Sequence, residues 1–169
     1  MGKTFFIADT HFGSDAVRRY ENRPFKTAEE MDRVMIERWN SVVSPGDEVW
    51  HLGDFGAEGA ESEVLKKLNG IIYLVRGNHE EDSNEAYRRA GFRKVYDLPV
   101  LLNEAWILSH QPVYVSNNMP YVNIFGHVHS NPAYRDYSPH HFCVSAERID
   151  YTPVELCRIS ELVKQASEQ

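Results

Sequence analysis

The chain has little cysteine and no pattern of paired thiols. Two of its 169 residues are cysteines, Cys143 and Cys157, and they lack the CxxC spacing that is typical of a metal-binding thiol pair. Both lie in apolar, strand-like segments, so we expect two buried free thiols rather than a disulfide. The sequence therefore argues against a disulfide-stabilised protein and against thiolate metal ligation.

Long apolar runs and excess basic charge are also lacking. No run of apolar residues approaches the length needed to span a bilayer, and the N-terminal residues enter a predicted strand at once, leaving no room for a cleaved signal peptide. We therefore expect a soluble, cytoplasmic protein without a membrane partner. With 18 basic against 25 acidic residues, the net charge of −7 argues against long duplex nucleic acid as a partner but is compatible with a small phosphorylated ligand. Nothing in the composition indicates an oligomeric state.

The length fits one domain, residues 1–169, whose first half alternates strands with helices. Predicted strands cover 3–8, 48–52 and 71–75. Predicted helices follow the capping box Thr27–Glu30, cover 60–69, and cover 83–91, beginning after Asp82. This order predicts a parallel sheet. Residues 13–24 are polar, and we expect an irregular loop there.

After Gly91 the pattern becomes mostly β. Short strands are predicted at 94–96, 99–103, 105–109, 122–126 and 142–146, with Asn103–Glu104 as a tight hairpin turn and a surface helix at 159–169. The predicted fold class is α/β, with two packed sheets flanked by helices.

Five short polar segments follow predicted strands, and they carry two aspartates, one asparagine and five histidines. They are Asp9–Thr10–His11, Gly53–Asp54, Gly77–Asn78–His79–Glu80, Ser109–His110 and Gly126–His127–Val128–His129. Open α/β sheets gather ligands beyond the carboxyl ends of their strands. Aspartate and histidine are costly to bury unless they are paired or metal-bound, so this set predicts a metal site rather than a packing feature.

The donor set indicates which metals and how many. Mixed carboxylate and imidazole ligands suit Mn, Fe, Co, Ni or Zn. Eight candidate groups exceed the capacity of one ion, and a central, bridging Asp54 divides them into two sites of about four ligands each. Two ions roughly 3.5–4 Å apart are the usual arrangement for in-line displacement at phosphorus.

In order and composition, the five segments resemble the motifs of the calcineurin-like metallophosphoesterases: DxH, GD, GNH(D/E), H and GHxH. The resemblance spans residues 9–129. It implies a four-layer α-β-β-α sandwich with two divalent ions, manganese being the first choice and Fe, Zn, Co or Ni the alternatives. It also implies one ion on Asp9, His11, Asp54 and His129, and the other on Asp54, Asn78, His110 and His127. His79 then corresponds to the non-ligand histidine that acts as general acid or donates to the phosphate.

Two departures narrow the resemblance. The serine/threonine protein phosphatase branch has the pattern GDxVDRG, but here Gly53–Asp54 is followed by Phe55 to Glu58. The sequence therefore does not support membership of that branch or the presence of its acidic partner for the histidine. Glu58 is a candidate substitute for that acidic residue. The chain also lacks the long helical insertion with which UDP-2,3-diacylglucosamine hydrolase binds acyl chains. What remains resembles the small bacterial and phage members.

Several further residues are candidates for contacts near the site. Arg18 and Arg23 could bind a substrate phosphate bidentately or could be surface charges. Arg76 could bind substrate or anchor its loop, and His51 is expected in the core. Three tyrosines could stack on a base or aryl group or could close a core; they are Tyr114, Tyr121 and Tyr134.

These features predict a phosphoester hydrolase in which a metal-bridging hydroxide attacks phosphorus while His79 assists the leaving oxygen. The expected substrate is a small, nucleotide-like phosphodiester. The alternatives are a phosphomonoesterase that acts on a small metabolite, or a non-catalytic scaffold with the same fold.

Overall fold

The computed structural model describes residues 2–57 and 59–168. Its strands are β1 (Thr4–Ile7), β2 (Glu48–His51), β3 (Ile71–Val75), β4 (Lys94–Tyr96), β5 (Val100–Leu102), β6 (Trp106–Ser109), β7 (Val122–Phe125), β8 (Tyr137–Ser138), β9 (His141–Cys143) and β10 (Val154–Glu155). Its helices are α1 (Asp15–Tyr20), α2 (Ala28–Val42), α3 (Glu61–Leu65), α4 (Asn84–Ala90), the 3₁₀ helix Ala146–Ile149 and α5 (Leu156–Ser167). No helix among the described residues is long and apolar enough to cross a membrane.

The first sheet has the strand order β10-β1-β2-β3-β4. Strands β1 to β4 run parallel, with Phe5 beside Val49 and Val49 beside Ile72, and β10 is antiparallel to β1. The predicted alternation of strands and helices is therefore confirmed. It continues for one strand more than expected, because α4 ends at Ala90, with Gly91 as its C-cap, and the chain returns as β4 on the edge of this sheet.

The second sheet has the strand order β5-β6-β7-β9-β8, with β6, β7 and β9 parallel and both outer strands antiparallel to their neighbours. The tight turn at Asn103 and Glu104 is confirmed. Both residues have positive φ, at 49° and 58°, and the Ala105 amide donates to the Leu102 carbonyl over 3.2 Å. Such turns match the twist of the strands that they join.

The alternation of side chains in β1 explains how the layers stack. Phe5 and Ile7 pack against α2 in one cluster, whereas Phe6 and Ala8 face the second sheet in another. The cluster between the sheets also receives Ile159 and Val163 from α5 (Leu156–Ser167). The structure thus confirms two mixed sheets flanked by helices.

The two sheets meet at the carboxyl ends of β1 and β9. Ala8 forms a parallel bridge with Ser145, in which the Ala8 amide donates to Val144 O over 2.9 Å and the Ala146 amide donates to Ala8 O over 3.0 Å. This join brings the ends of parallel strands from both sheets to a common edge, where the polar segments lie.

Two local expectations were wrong. The segment 13–24 contains α1, whose first turn is capped by Ser14 and supported by the pair Asp15–Arg18, with 2.7 Å between Oδ1 and Nε. Both cysteines are free and Cys143 is buried as expected, but Cys157 is exposed, because it lies on the solvent side of α5 rather than in a strand.

Candidate metal centre

The seven predicted ligands gather at the join between the sheets. Each follows one of the parallel strands β1, β2, β3, β6 or β7; they are Asp9, His11, Asp54, Asn78, His110, His127 and His129. Asp9, His11, Asp54 and His110 are buried, His127 and His129 are half-buried, and Asn78 is exposed. The cluster is therefore closed on the side of the core and open on the side of Asn78.

The donor atoms form two groups that share one residue. One atom each from Asp9, His11, Asp54 and His129 lie within 4.8 Å of one another, and so do one atom each from Asp54, His110 and His127. This grouping matches the division into two ion sites that the family resemblance implies.

Asn78 completes the second group. Its Oδ1 lies 3.0 Å from His110 Nε2 and 2.9 Å from His127 Nδ1, and those two nitrogens are 3.0 Å apart. The Nδ1 of His110 lies 2.8 Å from Leu52 O and must carry the proton there, which leaves Nε2 as an acceptor. Acceptor atoms therefore converge on one point, an arrangement that favours a cation.

The Asp54 carboxylate lies between the groups. Its Oδ2 is 3.5 Å from His11 Nε2 and 3.5 Å from His110 Nε2, while its Oδ1 accepts a hydrogen bond from the His79 amide over 3.0 Å. Donors that share an ion at about 2.1 Å are roughly 3–3.5 Å apart. Oδ2 therefore lies within this range of an imidazole nitrogen of each group.

Two buried polar atoms support the fit of metal ions to this donor set. Asp9 Oδ1 and His11 Nε2 have no hydrogen-bond partner among the described residues, whereas Asp9 Oδ2 accepts from the His127 amide over 2.8 Å. An unsatisfied buried polar group costs about 1–3 kcal/mol. A divalent ion would satisfy both atoms, so the residues fit such an ion.

The pKa shifts of Asp54 and His127 suit ligation. Those of two other predicted ligands go the opposite way: burial raises the pKa of Asp9, and the pKa of His129, which burial alone would lower, is raised by its hydrogen bond to Glu147. Burial would raise the pKa of Asp54, but the neighbouring His11 and His110 imidazoles and the hydrogen bond from the His79 amide outweigh burial and lower that pKa well below its usual range. Burial, together with the neighbouring His110, lowers the pKa of His127. The anionic carboxylate and the neutral imidazole are the forms that bind metals.

Five predicted ligands have an unusual backbone conformation. Their φ angles are 57° at Asp9, 47° at His11, 57° at Asp54, 68° at His127 and 45° at His129. Non-glycine residues in this left-handed region cost of order 1 kcal/mol or more each, and they cluster at functional sites where the surrounding structure holds them. The chain leaves β1, β2 and β7 by strained turns that direct these side chains toward the cluster.

Two glutamates that the sequence analysis overlooked brace these turns. Glu80 is buried and accepts hydrogen bonds from the amides of Asp54, Phe55 and Gly77, at 2.9, 2.8 and 2.5 Å. The position of Glu80 at the end of the GNH(D/E) motif is the sequence feature that could have indicated this role. Glu147 lies 3.1 Å from His129 Nδ1, and no motif points to it.

Arg18 and Arg23, the two candidate substrate-binding arginines, both contact other residues of the protein. The Arg23 side chain is fully buried and donates to the carbonyls of Asp9 and Thr10 and to Glu147, so it is inaccessible to substrate. Arg18 donates to Asp15 and to Phe25 O. The expectation is corrected for Arg23, because its guanidinium is buried and braces the segment that follows β1; for Arg18 the substrate contact stays a prediction.

Arg76 and His51 anchor the neighbouring chain. Arg76 donates to Glu80 O over 2.5 Å and to Asp97 over 3.1 Å, which supports its structural alternative. His51 is completely buried, as expected, with Nε2 3.0 Å from Thr10 Oγ1, and burial lowers its pKa to about 3. It is therefore a neutral core residue.

His79 lies at the rim of the cluster and is exposed. Its ring lies 5.2 Å from that of His11, edge to face, and both rings border a cavity of about 930 Å³. Its assignment as general acid stays a prediction. Glu58, the candidate acidic partner, lies outside the described residues.

The two-sheet α/β sandwich and the carboxylate and imidazole cluster at its strand ends are features of metal-dependent phosphoesterases. The sequence matches the family described as calcineurin-like phosphoesterase over residues 2–152, and the chain belongs to that family.

Two similar proteins span nearly the whole chain and a third spans about half of it. The uncharacterized protein MJ1445 of Methanocaldococcus jannaschii is 34% identical over 98% of this chain and 93% of its own length. The Gene 66 protein of Mycobacterium phage L5 is 29% identical over 47% of this chain and 41% of its own length. The crystal structure of AQ665 from Aquifex aeolicus, a protein of unknown function, superposes with a TM-score of 0.71 and 26% identity, covering 96% of this chain and all of that one.

Proposed function

We propose that the protein hydrolyses phosphoesters with the help of two divalent ions. The observation that carries the proposal is the position of Asp54 Oδ2, at 3.5 Å from a ligand nitrogen of each group. Ions held there would lower the pKa of a water molecule that attacks phosphorus in line, and would neutralise the phosphoryl oxygens.

The residues of this chain would have separate tasks. Asp9, His11 and His129 would hold one ion, and Asn78, His110 and His127 the other, with Asp54 shared between them. The exposed His79 at the rim would donate a proton to the departing oxygen or to a phosphoryl oxygen.

A small phosphodiester with an aromatic group, such as a nucleotide derivative, is the substrate that we favour. The cluster opens into two cavities, one of about 930 Å³ beside His11 and His79, and one of about 510 Å³ beside His127 and His129. Two cavities provide room for both substituents of a diester phosphorus. The second is lined by Tyr20 and Tyr134, whose rings could stack on a base.

Metal dependence is the first test of this proposal. Protein stripped with a chelator should lose hydrolysis of an aryl phosphate ester and should regain it with manganese, with Fe, Zn, Co and Ni as comparisons. Activity that is indifferent to chelation would exclude the metal-dependent mechanism. Binding of ions without hydrolysis across a substrate panel would favour the scaffold alternative.

The substrate class is tested with matched esters and matched tyrosines. Bis-aryl phosphate should be hydrolysed faster than mono-aryl phosphate; the reverse order would favour the phosphomonoesterase alternative. Tyr134→Ala should raise KM for an aryl diester more than for a dialkyl diester. Tyr137→Ala is the control, because Tyr137 is similarly exposed, 40% against 41%, but does not line the cavity.

A further inference from the structure

A buried ion pair lies beside the cluster and takes no direct part in it. Arg23, in the link between α1 and α2, contacts Glu147 of the 3₁₀ helix, 124 residues away along the chain. Arg23 Nη2 and Glu147 Oε1 are 2.7 Å apart, and the two side chains are 0% and 7% exposed. A buried ion pair is stabilising only if its geometry is good and further hydrogen bonds satisfy its other polar atoms. The role of this pair is therefore sought in the other hydrogen bonds that Arg23 and Glu147 make.

The remaining donors of Arg23 hold the turn after β1. Nη2 donates to Asp9 O over 2.6 Å and Nη1 donates to Thr10 O over 2.7 Å. Asp9 is one of the residues in the left-handed conformation, with φ of 57°. Because guanidinium is a planar fork, its donors fix two consecutive carbonyls at once, which a lysine could not reproduce.

Glu147 fixes a histidine on the other sheet. Glu147 Oε1 accepts from Arg23 Nε over 2.8 Å and lies 2.7 Å from Arg23 Nη2, so the guanidinium holds Glu147 as a carboxylate. The carboxylate can only accept, so His129 Nδ1, 3.1 Å from Oε1, must carry its proton there. Nε2 is the nitrogen that is left for an ion, and the ring orientation is set by Glu147.

We propose that Arg23 and Glu147 are a positioning pair that pre-forms one of the two ion sites, the one made by Asp9, His11, Asp54 and His129. This inference rests on the proposed dinuclear function. The pair contacts the first turn of one sheet and the last histidine of the other, so it joins the two halves of that site. None of the described hydrogen bonds of Arg23 and Glu147 reaches Asn78, His110 or His127. Loss of the pair should therefore weaken ion binding at one site and not at the other.

A third ion is the alternative role for Glu147. Glu21, His129 and Glu147 each offer a ligand atom within 4.8 Å, and Glu147 Oε2 is buried without a hydrogen-bond partner among the described residues. The guanidinium of Arg23 already supplies a positive charge 2.7 Å from this carboxylate, and a cation beside it would be repelled. We therefore favour positioning, and a count of bound ions distinguishes the two roles.

The test is calorimetric titration of chelator-treated protein with Mn²⁺. Wild type should bind two ions. Glu147→Ala and Arg23→Lys should each lower the affinity for one of the two ions by about 10- to 100-fold, the usual effect of losing a residue that hydrogen-bonds to a metal ligand. The affinity for the second ion should stay within about twofold of wild type. Glu147→Gln should fall between, because its amide oxygen can still accept from His129. The matched controls are Glu37→Gln and Arg33→Lys, in an ion pair whose side chains are 61% and 59% exposed; both should leave both sites unchanged.

A second readout separates positioning from general destabilisation. In Co²⁺-loaded Glu147→Gln, the visible absorption of one site should change and that of the other should not. The inference would be overturned if the variants weakened both sites equally, or if Glu147→Ala bound both ions with unchanged affinity. It would also be overturned if wild type bound three ions and Glu147→Gln lost one of them. If wild type binds no ion, it is the proposed function that fails. If Arg23→Lys does not fold, the Glu147 variants still decide.

Discussion

The Asp54 carboxylate is the one side chain that belongs to both groups of donors. Its Oδ1 is held by the His79 amide, and its Oδ2 lies 3.5 Å from a ligand nitrogen of each group. Among the described residues, by contrast, the Asn78 side chain has hydrogen-bond distances to His110 and His127. The two residues therefore differ in how many ions their loss should affect.

Replacing Asp54 by alanine should reduce binding of both ions, whereas Asn78→Ala should reduce binding of one. Asp54→Ala should also be the most damaging single substitution among the ligands. Elemental analysis of protein loaded with manganese, together with hydrolysis rates, measures both effects. If Asp54→Ala retains one ion at wild-type affinity, the carboxylate does not bridge.

His79 should affect the chemistry but not the metal content. Because its side chain is exposed and outside both donor groups, His79→Ala should keep both ions while the rate falls by a factor on the order of 10²–10⁴. The loss should be large for a poor alkoxide leaving group and small for nitrophenolate, which departs without a proton. Rates for the two esters and elemental analysis provide the measurements.

Loss of an ion from His79→Ala would make His79 a ligand and would overturn the division of the donors. An equal loss for both leaving groups would point instead to a contact with the phosphoryl oxygens.

At the scale of elements, the predictable part of the site follows from strand periodicity. Apolar runs ending in Asp9, Asp54 and Asn78 predict parallel strands, and the carboxyl ends of parallel strands share one edge. The same argument placed His110, His127 and His129 at strand ends, but no local pattern indicates that the two sheets join at Ala8 and Ser145.

The parts that could not be predicted depend on contacts distant in sequence. Arg23 and Glu147 are 124 residues apart, and nothing in either local segment indicates that they meet. The helix α1 was missed because its six residues bury no side chain and therefore show no apolar period. Cys157 was misplaced for a related reason: the apolar residues around it belong to the other face of α5.

The glycines of the motifs allow the strand ends to approach one another. A Cβ at Gly77 would overlap the Asp54 carboxylate and lie 2.8 Å from the Asp54 amide, whereas a Cβ at Gly46 would meet nothing within 4 Å. Neither glycine has a positive φ, so the two differ in crowding and not in backbone strain. The motif glycine is thus required for space.

Gly77→Ala should therefore displace Asp54, weaken ion binding and destabilise the protein by about 1–3 kcal/mol, the usual cost of overpacking. Gly46→Ala should change neither. Urea unfolding and Mn²⁺ titration of both variants give the comparison. Wild-type ion affinity in Gly77→Ala would show that the loop moves aside freely.

At the scale of the whole molecule, the ions would connect the strand ends of two sheets that already share an apolar cluster. Asp9, His11, Asp54 and Asn78 follow strands of the first sheet, whereas the three remaining ligands follow strands of the second. The chain also carries a net charge of −7, which bound cations would reduce. Ion binding should therefore stabilise the folded protein as a unit.

Adding Mn²⁺ to chelator-treated protein should raise the unfolding midpoint. At a free concentration about 100 times Kd, each site adds about 2.7 kcal/mol, because the ions bind the folded state. Two sites thus give about 5 kcal/mol, or roughly 10–20 °C for a chain of this size. Amide exchange should slow at the carboxyl ends of β1 to β3 and also of β6 and β7. Asp54→Ala should lose most of both effects. Protection confined to one sheet would mean that the ions bind without connecting the two halves of the molecule.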